Sequence, residues 1–236
     1  MAGSNRVGIF GGMFDPFHDG HIDVMAAAQA ALALEELFVL PANHPPHRPP
    51  PVASSYHRFA MAALAIAGHA GWQVSDLELT RAGASYTADT LRSFHDRGVA
   101  PLRLFFISGA DAFLEIATWK DYPALLTAAH FAVVSRPGAP VGALRDRLPA
   151  LAARMCAPSE STLSAGSPLI FLIDAETRQV SSSAIRLARG RGESIGGLVP
   201  APVQQHIEQH ALYQDGTAAV PAGSSPVGAP AGRLHG

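Results

Sequence analysis

Two histidines and two glycines stand close together near the start of the chain, in the segment GIFGGMFDPFHDGH at residues 8–21. His18 and His21 are three residues apart, so one helical turn would place both imidazoles on the same face. Gly11 and Gly12 would let the backbone turn tightly and approach a ligand closely, with N–H groups exposed. A helix is predicted to begin between the two histidines, and its positive end would face the same space. This combination predicts an anion site, most naturally for phosphate.

Other kinds of site fit the spacing of this segment less well. The dinucleotide fingerprint G-x-G-x-x-G is absent, and the P-loop pattern needs a Gly-Lys-Ser/Thr sequence where no lysine is near. A metal site on His18 and His21 would need a third ligand, for which Asp15 is available, but the pair lacks the H-E-x-x-H pattern of zinc sites. A glycine turn with a capping aspartate and incidental histidines is the purely structural alternative.

The rest of the chain supplies the elements that would position this segment. Short apolar runs predict strands at residues 6–10, 37–40, 73–75, 102–107, 131–135 and 169–173. Amphipathic or alanine-rich segments predict helices at residues 20–34, 56–68, 87–97, 110–116, 141–153, 182–189 and 200–212. This alternation predicts an α/β fold, a doubly wound parallel sheet with helices on both faces and a small C-terminal helical portion. Ligands of such a sheet bind beyond the carboxyl ends of its strands, where residues 8–21 would lie.

The composition is that of a globular protein, with 48% hydrophobic and 15% charged residues among 236. The net charge of −2 argues against general binding of nucleic acid, and the one cysteine, Cys156, excludes an internal disulfide framework and a multi-cysteine zinc site. No apolar run reaches the roughly 18–20 residues of a membrane helix, and the first residues lack the apolar stretch of a signal peptide. We therefore expect a cytoplasmic protein with no membrane partner.

Two segments are predicted to be irregular. Residues 41–55 contain too many prolines for a helix or a central strand, which indicates a long surface loop of a kind that is often functional. Residues 215–236 are rich in Gly, Pro, Ala and Ser, which predicts a disordered tail. We therefore expect a single domain over residues 1–214.

The sequence GGMFDPFHDGH resembles the first signature of the nucleotidylyltransferase superfamily with the H-x-G-H motif. In that family the two histidines contact the phosphates of a nucleoside triphosphate, so the resemblance implies this role for His18 and His21. Met13 departs from the family pattern, which usually has a small hydroxyl residue there. The change matters if that hydroxyl helps to hold phosphate, and it is tolerable if the backbone N–H does so.

The sequence VSSSAIR, at residues 180–186, resembles the second signature of the same family. Ser182 or Ser183 could cap a helix here, and Arg186, one turn further on, could form a fork onto a phosphate. An ordinary capped helix is the structural alternative. Paired with the first signature, the segment would complete a clamp for a triphosphate.

The sequence FFISGADAF, at residues 105–113, resembles the family segment that lines the nucleoside of ATP. Gly109 would permit close approach of a nucleoside, and Asp111 could accept hydrogen bonds from ribose hydroxyls or simply cap a helix. The resemblance as a whole implies that ATP would be bound by Phe10, Gly11, Gly12, His18, His21, Gly109, Asp111, Ser182 and Arg186. Within this set it implies His18, His21 and Arg186 as the catalytic residues.

Segments at residues 41–48, 76–91 and 118–126 resemble the bacterial nicotinate-mononucleotide adenylyltransferases in particular. This likeness implies a Rossmann-like fold and covers about residues 6–213. It implies that the nicotinate nucleotide would be bound by Asn43, Arg48, Tyr86, Thr87, Trp119 and Arg136.

Several of these side chains suit such a ligand chemically. The ring of Trp119 offers a flat stacking surface to a pyridinium cation, although a tryptophan in a core or an interface is the alternative. Arg48 and Arg136 would add positive charge for phosphates. For Arg58 and Arg81 the sequence leaves two roles open, contact with substrate or a structural ion pair.

The activity that the resemblance implies is transfer of the adenylyl group of ATP to nicotinate mononucleotide, which releases pyrophosphate. Mg²⁺ would be bound mainly through the ATP phosphates, with no metal ligand from the protein. The open alternatives are nicotinamide mononucleotide or phosphopantetheine as acceptor, a non-catalytic nucleotide-binding module, and a metal-dependent hydrolase that uses the histidine pair. We expect small-molecule partners and no nucleic acid, and the sequence is compatible with a homo-oligomer.

Overall fold

The computed structural model describes residues 5–44 and 49–214 and contains a seven-stranded sheet. The strands are β1 (Val7–Gly12), β2 (Glu36–Pro41), β3 (Trp72–Val74), β4 (Leu104–Gly109), β5 (His130–Val134), β6 (Met155–Cys156) and β7 (Ile170–Ile173). Neighbouring strands are parallel throughout, in the order β3-β2-β1-β4-β5-β7-β6. The chain order reverses direction between β1 and β4, and a crevice for ligands opens at such a switch point. The predicted α/β parallel sheet is confirmed.

Helices connect the strands. They are α1 (Asp19–Leu32), α2 (Ser55–Ile66), α3 (Thr87–Asp96), α4 (Ala110–Phe113), α5 (Leu144–Arg147), α6 (Glu160–Leu163), α7 (Ser182–Gly190) and α8 (Ala201–Gln209). Short 3₁₀ helices lie at Pro101–Arg103, Ile116–Thr118, Ala124–Thr127, Val141–Ala143 and Pro149–Arg154. Across residues 5–44 and 49–214, no helix has both the length and the apolar character needed to cross a lipid bilayer. Arg48 and the segment 215–236 lie outside the described residues.

The sheet is buried on both faces, because successive strand residues enter two separate hydrophobic cores. On β4, Phe105 and Ile107 face one core, whereas Leu104 and Phe106 face the other. Helices α1, α2, α7 and α8 cover the first core, and α3, α4 and α5 cover the second. This two-sided burial is why the strands read in the sequence as continuous apolar runs.

One predicted helix differs from the structure, and two short elements of the structure were not predicted. The segment 141–153 is not one helix but two 3₁₀ turns around the four residues of α5. Pro149 explains the interruption, since proline has no N–H to donate and restricts the residue before it. Strand β6 and helix α6 were not predicted, because two and four residues are too short to show a periodicity.

The turn after β1 also lies later than expected. The strand runs through both glycines, and Gly11 and Gly12 pair with Leu40 and Pro41 of β2. The prediction of a tight turn at these glycines was therefore wrong. The chain turns after the strand, where Phe14 takes a positive φ of 48°.

Candidate functional site

The two histidines of the first signature stack on each other where α1 begins. Their ring centroids are 3.5 Å apart with an interplanar angle of 18°, and His18 is the N-cap of the helix. The backbone N–H of His18 donates to Nδ1 of His21 over 3.1 Å. A neutral His21 must therefore carry its proton on Nε2, where it is available as a donor. Nδ1 of His18 is buried and has no hydrogen-bond partner within the described residues.

Both imidazoles are neutral in the ligand-free protein at neutral pH. Burial, followed by the charge of Arg136, lowers the pKa of His18 from 6.5 to about 3, and the residue is only 1% exposed. Burial, then the neighbouring His18 and then Arg136, lowers the pKa of His21 well below its ordinary value. The pair therefore offers N–H donors rather than fixed charge, and arginines must supply the permanent positive charge of the site.

Aromatic rings hold His21 in place. The rings of Phe10, Phe14 and Phe17 lie 5.9, 5.0 and 4.9 Å from the His21 ring, centroid to centroid. Phe10 is buried in the first core, so its side chain supports the histidine. A Cβ on Gly12 would meet the Phe14 ring at 2.7 Å, so only glycine fits there without a shift of that ring.

Asp15 is the centre of a junction between distant parts of the chain. Its buried carboxylate accepts the backbone N–H groups of Val52 and Ala53 at 2.7 and 3.1 Å, and the hydroxyl of Tyr213 at 2.7 Å. Nη1 of Arg186 donates to the backbone oxygen of Asp15 over 2.7 Å. We call these five residues the Asp15 junction. Because its carboxylate is already engaged, Asp15 does not fit as the third ligand of a metal site with the two histidines.

The second signature docks directly onto the first. Ser182 Oγ donates to the backbone oxygen of Pro16 over 2.9 Å, across 166 residues of sequence. Nη2 of Arg186 also donates to Ser183 Oγ over 3.3 Å. The N-cap of α7 is Ser181, whose side chain accepts a backbone N–H at 3.2 Å, so the prediction of a cap at Ser182 or Ser183 was wrong. The helix starts one residue earlier, which leaves Ser182 free to join the two signatures.

The ends of β4 and β5 add a carboxylate and a guanidinium to the same edge of the sheet. A Cβ on Gly109 would lie 2.5 Å from Asp111 Oδ1 and 3.0 Å from Arg136 Cγ, so glycine makes room for both side chains. Nη2 of Arg136 donates to the backbone oxygen of Val180 over 3.5 Å. Asp111 is exposed, and its carboxylate has no hydrogen-bond or ion-pair partner in the part of the chain that the structure describes.

A second group of predicted residues gathers around the start of α3. The backbone N–H of Asn43 donates to Ser85 Oγ over 3.0 Å, which joins the loop after β2 to the loop before α3. Tyr86 is the N-cap of α3, and Thr87 is its first residue. Nζ of Lys120 lies 4.8 Å from the centroid of the Tyr86 ring. Lys120 directly follows Trp119 in the chain, so the segment that carries Trp119 contacts the start of α3 through Lys120.

Trp119 links this group to the end of β1. Its ring lies edge-on to Phe106, with centroids 5.7 Å apart and an interplanar angle of 84°, and the residue is half-buried. A Cβ on Gly11 would touch the same Phe106 ring at 3.5 Å. The two sets of predicted residues thus share one edge of the sheet.

Two arginines left open by the sequence are structural. Arg58 is 1% exposed and its Nη1 donates to the backbone oxygens of Met13 and Ala42 at 2.8 and 2.6 Å. Because Arg58 binds the backbone oxygen of Met13, this contact does not depend on which side chain residue 13 carries. Arg81 donates to Thr90 Oγ1 and Ser93 Oγ and so fixes the loop before α3.

Comparisons with known proteins bear on this arrangement. The sequence profile of the cytidylyltransferase-like family matches residues 9–188. A relative from Geotalea daltonii, named "Probable nicotinate-nucleotide adenylyltransferase", is 38% identical over 216 residues, which cover 89% of this chain and 99% of the relative. Another of that name, from Pseudomonas paraeruginosa, is 40% identical over 212 residues, covering 89% and 97%. The chain belongs to the nicotinate-nucleotide adenylyltransferase family.

Solved structures of adenylyltransferases share the fold. Plasmodium falciparum nicotinic acid mononucleotide adenylyltransferase complexed with NaAD has a TM-score of 0.66 at 17% identity, covering 89% of this chain and 97% of that one. The same enzyme complexed with APC gives a TM-score of 0.64 over the same shares of both chains. At this identity the likeness concerns the fold alone.

The sequence analysis did not single out Arg178, although in the structure of this family member it lies beside the start of α1. Arg178 contacts two carboxylates of α1, with Nη1 2.7 Å from Asp19 Oδ2 and Nη2 2.8 Å from Asp23 Oδ1. Burial acts to raise the pKa of Asp23, but its hydrogen bonds with Arg178 outweigh burial and lower it. The spacing of Asp19 and Asp23 predicts two carboxylates on one face of a helix, but no sequence pattern indicates that Arg178 is their partner.

Proposed function

We propose that this chain transfers the adenylyl group of ATP to nicotinate mononucleotide, giving nicotinate adenine dinucleotide and pyrophosphate. The observation that carries the proposal is the docking of Ser182 and Arg186 onto the turn that bears His18 and His21, at the carboxyl edge of the sheet. This contact brings a helix start, two imidazoles and a guanidinium into one region, and a polyphosphate site needs groups of these kinds. The 38–40% identity to relatives named for this activity supports the same assignment.

The reaction needs alignment and charge rather than a general base. The attacking group is the phosphate monoester of the mononucleotide, whose second pKa is about 6, so it is largely a dianion at pH 7. Its oxygen attacks the α-phosphorus of ATP, and the bond to the β-phosphate oxygen breaks to release pyrophosphate. The barrier comes from repulsion between two anions, which the protein can reduce with fixed donors and positive groups.

The residues divide these tasks. His18 and His21 donate hydrogen bonds to the phosphates where charge grows, and the bound polyanion stabilises their protonated forms in return. Arg186 and Arg136 would supply permanent positive charge to the phosphates. Asp111, whose carboxylate has no partner among residues 5–44 and 49–214, accepts hydrogen bonds from the ribose hydroxyls of ATP.

The carboxylates near the histidine pair bear on how Mg²⁺ would be held. Asp15 is engaged by two N–H groups and a hydroxyl, and Asp19 and Asp23 are engaged by Arg178. This donor set fits an ion bound through substrate phosphates and water, the usual mode for Mg²⁺ with a nucleotide, rather than a protein cage. When bound, the ion would neutralise charge on the phosphates.

The acceptor nucleotide would lie against Asn43, Tyr86, Thr87 and Trp119. Backbone N–H groups of the loop at 83–87 favour the carboxylate of nicotinate over the carboxamide of nicotinamide. The half-buried Trp119 ring would stack on the pyridine ring.

Replacement of Trp119 tests the acceptor site. We expect Trp119→Ala to raise KM for nicotinate mononucleotide at least about fivefold, since stacking on an aromatic ring contributes about 1–3 kcal/mol, and to leave KM for ATP nearly unchanged. Trp119→Phe keeps a ring and should keep most of the affinity. An unchanged KM for the mononucleotide in Trp119→Ala would remove this residue from the site.

The activity itself is tested by an acceptor screen. Full-length protein is incubated with ATP, Mg²⁺ and either nicotinate mononucleotide, nicotinamide mononucleotide or phosphopantetheine, and pyrophosphate release is followed. We expect the highest kcat/KM with nicotinate mononucleotide. A higher value with either other acceptor would keep the chemistry and change the substrate, and no release with any acceptor would contradict the proposal.

A further inference from the structure

Three histidines form a cluster away from the nucleotide site. His57 lies in the first turn of α2, His206 lies in α8, and His210 is the C-cap residue directly after α8. One nitrogen from each ring can be chosen so that all three lie within 4.8 Å of one another. Within residues 5–44 and 49–214, this is the one group of three or more potential metal ligands placed so closely.

The geometry of the cluster is near that of a metal site. Nδ1 of His57 and Nε2 of His206 are 3.0 Å apart. The ring of His210 lies 4.8 Å from the His57 ring and 4.4 Å from the His206 ring, centroid to centroid. Nitrogens around a tetrahedral zinc ion, with Zn–N of about 2.0–2.1 Å, lie about 3.3 Å apart. The first pair is slightly closer than this spacing, and a small shift of these rings with a rotation of the exposed His210 side chain would give it.

The helix provides two of the ligands in a fixed relation. His206 and His210 are four residues apart, so they lie one above the other on the same face of α8. His57 faces them from α2, which packs against α8. A ligand set from two packed helices is held together by the core beneath, where Val203 and Ile207 are buried.

The chemistry of the ligands selects a class of ion. The three ligands are imidazoles without a carboxylate among them, which suits zinc and its divalent transition-metal neighbours and not Mg²⁺ or Ca²⁺. A neutral imidazole offers such an ion the lone pair of one ring nitrogen.

We propose that His57, His206 and His210 bind one zinc ion, with the fourth position open to water. The ion would join the start of α2 to the end of α8. Ala53 lies four residues before His57, and Tyr213 lies three residues after His210, and both donate to Asp15. The zinc ion would therefore fasten both chain segments that converge on the Asp15 junction, and its role is structural.

Metal binding tests the proposal directly. Untagged full-length protein is stripped with EDTA and dialysed against zinc sulfate, and bound zinc per chain is measured. We expect one equivalent in the wild type, and at least about tenfold weaker binding in His206→Gln and His57→Gln. His69→Gln is the matched control, since His69 is exposed and lies outside the cluster. It should bind zinc like the wild type.

Two further measurements separate a built site from a loss of folding. Zinc should raise Tm in the wild type and in His69→Gln but not in His206→Gln, because an ion that binds only the folded form stabilises it. Co²⁺ should give the visible absorption of a tetrahedral site in the same two proteins only. If His206→Gln has lowered Tm in EDTA, His210→Gln replaces it, since His210 is exposed.

The opposite results are equally clear. No saturable zinc in the wild type, or equal zinc uptake by His206→Gln and His69→Gln, would overturn the proposal. The cluster would then be held by the hydrogen bond between His57 and His206 alone.

Discussion

His18 and His21 enter the proposed reaction as hydrogen-bond donors rather than as fixed charges. Burial removes water from both rings, and the nearby Arg136 further disfavours a positive imidazole. The triphosphate would bring the opposite charge into the same space. The histidines would therefore gain positive character only when the substrate is bound, which directs their effect toward the phosphates.

Removal of one imidazole should affect turnover more than substrate affinity. We expect His21→Ala to lower kcat by about 10²-fold or more and to raise KM for ATP by less than about threefold, since a donor placed where charge grows acts mainly in the transition state. Steady-state kinetics measure both constants. Tm of the variant serves as a control, because His21 also accepts the N–H of His18. A raised KM with intact kcat would contradict this role.

The buried His18 should make the folded state sensitive to acid. Burial lowers its pKa from the ordinary 6.5 to about 3, so below pH 6.5 the unfolded chain takes up a proton that the folded chain does not. The free energy of unfolding is therefore unaffected by His18 above pH 6.5 and decreases as the pH is lowered below that value. His18 alone should cost about 2 kcal/mol between pH 7 and pH 5.

Urea unfolding at the two pH values measures this effect. The free energy of unfolding of His18→Asn should fall by about 2 kcal/mol less than that of the wild type over the same interval. Equal losses in both proteins would show that His18 takes up its proton when folded.

At the scale of elements, the end of β1 contains two adjacent glycines, Gly11 and Gly12, whose surroundings leave different amounts of room for a side chain. A Cβ on Gly12 would collide with the Phe14 ring at 2.7 Å, whereas a Cβ on Gly11 would only touch Phe106 at 3.5 Å. The fold itself therefore requires the second glycine and tolerates a methyl group at the first. A requirement for the first glycine would come from a ligand.

Alanine at each position separates these reasons. We expect Gly12→Ala to destabilise the protein by about 1–3 kcal/mol, because the Phe14 ring must move. Gly11→Ala should change stability by less than about 1 kcal/mol and still lower kcat/KM more than about tenfold, if ATP approaches the backbone there. Urea unfolding and kinetics give the two results. Full activity in Gly11→Ala would place the nucleotide away from this strand end.

Elements with strong local signals were predictable from the sequence. Helix α1 follows an apolar strand and a polar turn, and its predicted start lay within one residue of Asp19. The cap of α7 was placed wrongly because three consecutive serines offer the same side chain, and only the docking of Ser182 on Pro16 distinguishes them. The signatures pointed to the candidate site residues, but no pattern in the sequence predicts that Arg178 contacts Asp19 and Asp23.

At the scale of the whole molecule, the Asp15 junction joins the first turn to the segment before α2 and to the end of the described chain. The hydroxyl of Tyr213 is buried and donates to Asp15, and burial followed by that carboxylate raises the pKa of Tyr213 well above its ordinary value. Contacts across 198 residues of sequence cannot be read from local periodicity. The contact between Asp15 and Tyr213 can form only when the sheet and its helices have brought these two segments together.

Loss of this hydroxyl should weaken the whole fold. We expect Tyr213→Phe to lower the free energy of unfolding by about 1.5–3 kcal/mol, because a hydrogen bond to a buried carboxylate is lost. Tyr56→Phe is the matched control, since Tyr56 is 86% exposed and its hydroxyl meets water. Unfolding in urea compares the two. A loss no larger in Tyr213→Phe than in the control would mean that water replaces the hydroxyl beside Asp15.

The hydrogen bond from Tyr213 to Asp15 also means that the first signature depends on a residue outside both signatures. A polypeptide that ends at Gln209 would contain both signatures in full and yet leave a buried carboxylate short of its donor. Fragments recognised by their signatures, such as truncated gene products, would then lack one support of the turn that carries Asp15. In chains of this kind, the segment that follows α8 therefore belongs to the support of the first signature.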